Sequence, residues 1–207
     1  MNRILLAAAV LFFTTDVRAG IINGDFETQD LTGWTSFAEP GSDVSAAELT
    51  VGSPFFFSTY VGFLRAQPTG DQTTSGWLEQ SFNASDGDVL QFDADWNINQ
   101  PPFGSPTTTV LLEVTGPGAN YALAPTEDGP GIWSSISVPL AADGSYVLRL
   151  TVSATSTVLP IIGESRGFAT ARVDNVRLVP EPSSLVMATL AVVGVATYAG
   201  RRRRRTP

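Results

Sequence analysis

Apolar and polar positions alternate without a break from residue 90 to residue 98: Leu90, Phe92, Ala94, Trp96 and Ile98 in one set, Gln91, Asp93, Asp95 and Asn97 in the other. A period of two puts each set on one face of an extended chain, which predicts an antiparallel strand with one face on a core and the other in solvent. The pattern returns at Val110, Leu112 and Val114 around Leu111 and Glu113, and at Tyr146, Leu148, Leu150 and Val152 around Val147, Arg149 and Thr151. Phe55 to Leu64, Trp77 to Phe82 and Ile132 to Leu140 predict further strands. Turn chemistry separates them, at Ser85-Asp86-Gly87-Asp88, Gln100 to Gly104, Thr115-Gly116-Pro117-Gly118 and Ala142-Asp143-Gly144-Ser145. About eight or nine short strands with no amphipathic helix among them predict an all-β fold, an antiparallel β-sandwich.

The ends of the chain read differently. Met1 to Ala19 has the form of a secretory signal peptide, with Arg3 as the charged start, Ile4 to Phe13 as the apolar run and Val17-Arg18-Ala19 as the cleavage site. Near the other end, Leu185 to Gly200 is an uncharged apolar run of 16 residues. As a helix it spans roughly 24 Å at about 1.5 Å per residue, short of the ~30 Å bilayer core but workable with its flanks. Thr189, Thr197 and Gly194 are compatible with such a helix, and Tyr198 suits the interface. Arg201, Arg202, Arg203, Arg204 and Arg205 follow at once, and such a cluster stays cytoplasmic, so residues before Leu185 lie on the outer side. Pro180 and Pro182 keep Val179 to Pro182 extended and unable to join a sheet or helix.

Pro180-Glu181-Pro182, one transmembrane helix over residues 185–200 and an arginine cluster over 201–205 together resemble the PEP-CTERM sorting signal of Gram-negative bacteria. The resemblance implies recognition by an exosortase, a membrane protease expected to act at Pro180 to Pro182, in bacteria that make exopolysaccharide or biofilm matrix. A plain C-terminal tail anchor is the alternative. Three segments follow: residues 1–19 as signal peptide, 20–179 as the exported domain and 180–205 as the sorting signal. The domain would be held at the inner membrane before processing, and periplasmic, at the cell surface or extracellular after it.

Composition removes several kinds of chemistry. The 207 residues include no His and no Cys, and no Lys occurs anywhere. Ser-His-Asp catalysis, thiol nucleophiles, His- or thiolate-bound zinc, Schiff bases and a phosphate-loop lysine are therefore excluded. The net charge of −8 conceals a sharper imbalance, since Gly20 to Val179 carries 18 Asp and Glu against five Arg. A domain of that sign repels phosphate backbones, so nucleic acid is not a partner. Converging carboxylates suit calcium instead.

Gly20-Ile21-Ile22-Asn23-Gly24-Asp25-Phe26-Glu27, with Gly33-Trp34 after it, supplies core anchors at Ile21, Ile22 and Phe26 and turn chemistry at Asn23-Gly24. This opening resembles the first strand of galactose-binding-like jelly rolls, the sandwich of many carbohydrate-binding modules. Ala171 to Leu178, with Asp174-Asn175-Val176 at its centre, resembles the closing strand of the same fold. The resemblance implies neighbouring first and last strands and a structural calcium between them, with Glu27 and Asp174 as ligands and Asp25 as a third. Solvated carboxylates, or carboxylates paired with Arg172 or Arg177, are the alternative.

Asp86-Gly87-Asp88 reads as a hairpin turn, and Asp93 with Asp95 as the solvent face of a strand. Among the aromatic residues, Trp34 and Trp96 are expected in the core. Trp77 comes directly after Gly76 and Trp133 shortly after Gly131, each at an expected strand start near the rim, and they are the candidates for stacking on a sugar ring, with Tyr60 behind them. Three functional classes remain: a non-catalytic module binding exopolysaccharide, a structural or adhesive matrix protein without a defined ligand, and a carboxylate-dependent glycan hydrolase. The first is the reading adopted, with no enzymatic activity expected.

Overall fold

A computed structural model describes residues 20–50, 58–100, 107–125, 133–160 and 163–180. Eleven strands run through them: β1 (Thr35–Ala38), β2 (Ser42–Thr50), β3 (Ser58–Ala66), β4 (Thr73–Ala84), β5 (Val89–Asn99), β6 (Thr108–Gly116), β7 (Ala119–Leu123), β8 (Ser134–Pro139), β9 (Gly144–Leu159), β10 (Gly163–Arg166) and β11 (Phe168–Val179). They form two antiparallel sheets. One has six strands in the order β1-β4-β9-β6-β7, with β10 paired to β9; the other has five in the order β2-β3-β11-β5-β8.

The alternation read in the sequence becomes the inner and outer faces of these sheets. Leu78, Phe82, Val110, Leu112, Val114, Tyr146, Leu148, Leu150 and Val152 come from the six-stranded sheet. They meet Leu64, Leu90, Phe92, Ala94, Ile98, Ala169, Ala171 and Val173 of the five-stranded sheet in one core. Burial of the Val, Leu, Ile and Phe side chains among them is worth about 1.5–3 kcal/mol each and supplies the drive for closing the sandwich. The Tyr146 ring lies against Phe82 with centroids 5.9 Å apart, and its hydroxyl lies against the carbonyls of Pro117 and Ala142.

Residues 20–34 depart from expectation. They form successive turns, not a first strand. Asn23, Phe26 and Gln29 have φ of 49°, 53° and 65°, a left-handed geometry that no extended strand accommodates. The loop is tied down by the inward amide of Gln80, which donates to Ile22 O at 2.9 Å and Gly33 O at 2.7 Å and accepts from Ile22 N. Phe26, fully buried, stacks on Trp34 at 5.1 Å, so the opening still delivers its anchors to the core. Ile22 does not join them and is 56% exposed, because the turn at Asn23 points it away from the sandwich. The expected neighbourhood with the closing strand survives as one bond, Val176 N donating to Gly24 O at 2.9 Å.

The signal peptide, Phe55 to Phe57, Glu181, Pro182, the apolar run 185–200 and the arginine cluster lie outside the described residues. Among the described residues no helix is long and apolar enough to cross a membrane.

Candidate functional site

Trp77 sits in the middle of β4, not at a strand start, on the outer face of the six-stranded sheet. Strand register places Phe37 of β1 directly opposite it on one side and Thr151 of β9 on the other, with Leu111 of β6 beyond. Phe37 and Trp77 are near-parallel, 24° apart with centroids at 6.0 Å. The Arg149 guanidinium lies 4.4 Å over the Trp77 ring and 3.6 Å from the Glu79 carboxylate. Arg149 is opposite Glu79 and Glu113 in the register, and its pairing with Glu79 holds the cation over the indole. Phe37, at 46% exposure, is the open part of this surface. The arrangement is a stacked aromatic pair with a polar rim, in which Trp77 backs the exposed Phe37 ring and Phe37 offers the surface suited to the apolar face of a sugar ring.

Trp133, 37% exposed, immediately precedes β8 of the other sheet, so it and Trp77 belong to separate surfaces. Trp34 is in the core; Trp96 and Tyr60 are partly buried and packed against it. Phe37 and Arg149 were not among the candidates. Phe37 lies in a four-residue strand too short to show a period, and Arg149 gains meaning only from the register that lays it over Trp77.

The three expected calcium ligands are drawn toward one end of β11. Asp174 is buried, and burial together with the charges of Glu27, Asp93 and Asp25 pushes its carboxyl up to about 6, against an opposing hydrogen bond from Asn175 N. Glu27 Oε1 accepts from Tyr60 N at 3.2 Å, and Asp25 Oδ1 from Glu27 N at 3.4 Å. Hard oxygen donors suit calcium. Yet among the described residues no three His, Cys, Asp or Glu side chains converge closely enough to hold a metal ion, so backbone carbonyls would have to complete the set. Asn23 Oδ1 nearby is buried with no hydrogen-bond partner.

The second acidic group follows its spacing at the turn and departs from it on the strand. Asp86-Gly87 is indeed a turn, with Ser85 N donating to Asp88 Oδ2 at 2.7 Å. Asp95, however, is 4% exposed, not solvated, and its Oδ2 accepts from Arg172 Nη1 at 3.1 Å. Desolvation raises its pKa, and the Arg172 charge pulls the other way. Asp93 is half-buried, accepting from Ser135 Oγ at 2.6 Å and Asn175 Nδ2 at 2.9 Å. Both aspartates alternate with the inward residues as expected, but side chains of the flanking strands bond to them, Ser135 of β8 and Asn175 of β11 to Asp93 and Arg172 of β11 to Asp95.

Residues 178–205 match the PEP-CTERM protein-sorting motif. No curated protein matches the chain. Several solved structures align with it at low identity. The module TmCBM61 in complex with β-1,4-galactotriose is 15% identical, with 78% of this chain and 99% of that chain covered and a TM-score of 0.47. A family 11 carbohydrate-binding module from Clostridium thermocellum, in complex with a mixed-linked tetrasaccharide, is 15% identical over 79% and 96%, with a TM-score of 0.36. The K1 cleaved adhesin domain of Lys-gingipain from Porphyromonas gingivalis W83 is 13% identical over 72% and 91%, with a TM-score of 0.40.

Proposed function

We propose that the protein is a non-catalytic, exported module, sorted through residues 180–205 by an exosortase and binding exopolysaccharide through its sandwich. The match of residues 178–205 to a protein-sorting motif carries the sorting half of this reading. The binding half is supported by the Phe37–Trp77 pair with Arg149, Glu79 and Glu113 around it. A saccharide ring stacks its C–H face on the exposed Phe37 ring, which Trp77 backs, while the guanidinium and carboxylates take its hydroxyls. A second reading, a structural or adhesive matrix protein without a defined ligand, is favoured by one observation: Arg149 already covers one face of Trp77.

The sorting reading is tested by replacing Pro180 and Pro182 with Ala. Unprocessed precursor should accumulate in the inner membrane; unchanged processing and location would sink it. The binding reading is tested on a polysaccharide affinity gel with full-length protein in detergent. Trp77→Ala should lose retention while keeping its β-sheet circular dichroism, and retention equal to wild type counts against the platform.

Calcium belongs to the same proposal, held by Glu27 and Asp174 with Asp25 alongside and carbonyls completing the sphere. When bound it supplies positive charge to a carboxylate group that otherwise repels itself. The chain's own contribution is to hold Glu27 and Asp174 together, through the bond from Tyr60 N and the closure of residues 20–34 over β11.

A further inference from the structure

On the outer face of the five-stranded sheet, β5, β8 and β11 enclose a polar trough of about 310 Å³, bordered by Gln91, Asp93, Ser135, Ser137, Asn175 and Arg177. A second hollow of about 360 Å³ shares Asn175 and Arg177 and runs on toward Asn23 and Asp25. Both volumes are within the range of ~300–1,000 Å³ usual for small-molecule sites.

The trough exists because β11 is bulged. Asp174 is opposite Asp93 and Arg177 opposite Gln91, so three steps on β11 face two on β5. The extra residue kinks the strand, and Asn175 takes a φ of 53°, which Asn tolerates better than most residues. In an unbroken strand Asn175 and Arg177 would share the inner face with Val173; the extra residue turns both to the outer face, where they flank one hollow.

Its wall is polar and held in place. The two oxygens of Asp93 accept from different donors, Ser135 and Asn175, and each keeps a further lone pair. Arg177 donates through Nε at 3.2 Å and Nη2 at 3.1 Å to Gln91 Oε1, which orients the guanidinium and leaves its other N–H groups for a ligand. Acceptor and donor on neighbouring strands, with serine hydroxyls beside them, match adjacent hydroxyls on a sugar ring. Trp133, directly before β8, continues the exposed alternation of Ser135 and Ser137. The two charged side chains that line it, Asp93 and Arg177, are of opposite sign, so the trough has no net charge with which to hold an anionic or cationic sugar.

We propose that this trough is a second glycan subsite, selective for neutral sugar residues, and that the domain bridges two polysaccharide chains. The inference rests on the glycan-binding reading above and extends it. The Trp77 platform and the trough lie on the outer faces of opposed sheets. Sheets pack about 10 Å apart and each outer face adds its own side chains, so a short oligosaccharide cannot touch both.

Full-length protein in detergent is titrated calorimetrically with β-1,4-galactotriose, xylohexaose and trigalacturonate, and mixed with neutral polysaccharide in a viscometer. A neutral probe should fill two sites per chain. Trp77→Ala should leave one site; Ser135→Ala, and separately Arg177→Ala, should weaken the other about tenfold or more, equivalent to ~1.4 kcal/mol. Thickening of the polysaccharide should need both sites. Ser135→Ala removes one hydroxyl at an exposed position, and its unfolding midpoint checks that the fold is retained. A single wild-type site that Trp77→Ala abolishes and the trough variants spare overturns the inference and leaves the glycan reading standing. Binding that Trp77→Ala spares and the trough variants abolish does the reverse to the Trp77 platform. Preference for trigalacturonate overturns the neutral selectivity, and no binding of any probe overturns both proposals.

Discussion

Asp174 is the residue whose chemistry the fold changes most. Its folded pKa of about 6 is above the ordinary 3.8, so the folded chain holds that proton more tightly than the unfolded chain. The stability this contributes is fully present below about pH 3.8 and is lost as pH rises through about 6. Asp174→Asn should therefore be the more stable protein at pH 7, by on the order of 1–2 kcal/mol after solvent screening, with the advantage shrinking toward pH 4. Urea unfolding of both proteins across that range measures it. Calcium supplies the complementary experiment: if Glu27 and Asp174 hold the ion, millimolar calcium raises the wild-type midpoint at pH 7, a chelator reverses it, and Asp174→Asn gains nothing. Packing at Gly62 gives a second prediction at this scale. A methyl there would lie 2.6 Å from Phe26 Cζ, so Gly62→Ala should destabilise by about 1–3 kcal/mol in the same assay.

Among the elements, β5 and β11 are joined by more than their backbone ladder. Asp95 of β5 is buried opposite Arg172 of β11, whose side chain is 35% exposed. Removing the cation strands a buried carboxylate, whereas removing the negative charge leaves an arginine that can turn to water. Arg172→Met should cost roughly 2–3 kcal/mol, below the ~3–5 of a fully buried pair, and Asp95→Asn distinctly less. Denaturant titration of the two variants ranks them. Strands such as β4, β5, β6 and β9 were legible because large apolar residues alternate along them. β2 was not, since Ser45, Ala46 and Ala47 give no contrast between its faces. Residues 20–34 misled for a different reason: Phe26 and Trp34 are real anchors, but positive φ at Asn23, Phe26 and Gln29 converts an apparent strand into turns.

For the molecule as a whole, β11 is central: it lies between β3 and β5 in the five-stranded sheet and contributes Ala169, Ala171 and Val173 to the core. Its last pairing is Val179 with Val89, directly before Pro180, so Val179 joins the sheet that the two prolines were expected to keep it from: a residue before proline is extended and keeps its own N–H and C=O. A chain ending at Val179 should unfold cooperatively, with a midpoint within about 5 °C of the full-length protein, while one ending at Gly167 should show no cooperative transition by calorimetry. The proposed processing site would then sit at the edge of the folded unit, so a completed domain and a cleavable tail are compatible.

The sequence by itself determined the all-β sandwich and the sorting signal, because both are written in neighbours along the chain: a period of two, an apolar run, prolines and a block of arginines. It also marked Trp77, Trp133, Glu27 and Asp174 as residues of interest by type. Only the tertiary structure decided what each stands beside. Arg149 lies over Trp77, 72 positions away, because β4 and β9 pair in one particular register. Asp93 meets Asn175 across 82 positions because β11 carries one extra residue between Asp174 and Arg177. Register and bulges are set by which strands pair and by how the whole core packs, and that is a property of residues far apart in the chain, which no local pattern encodes.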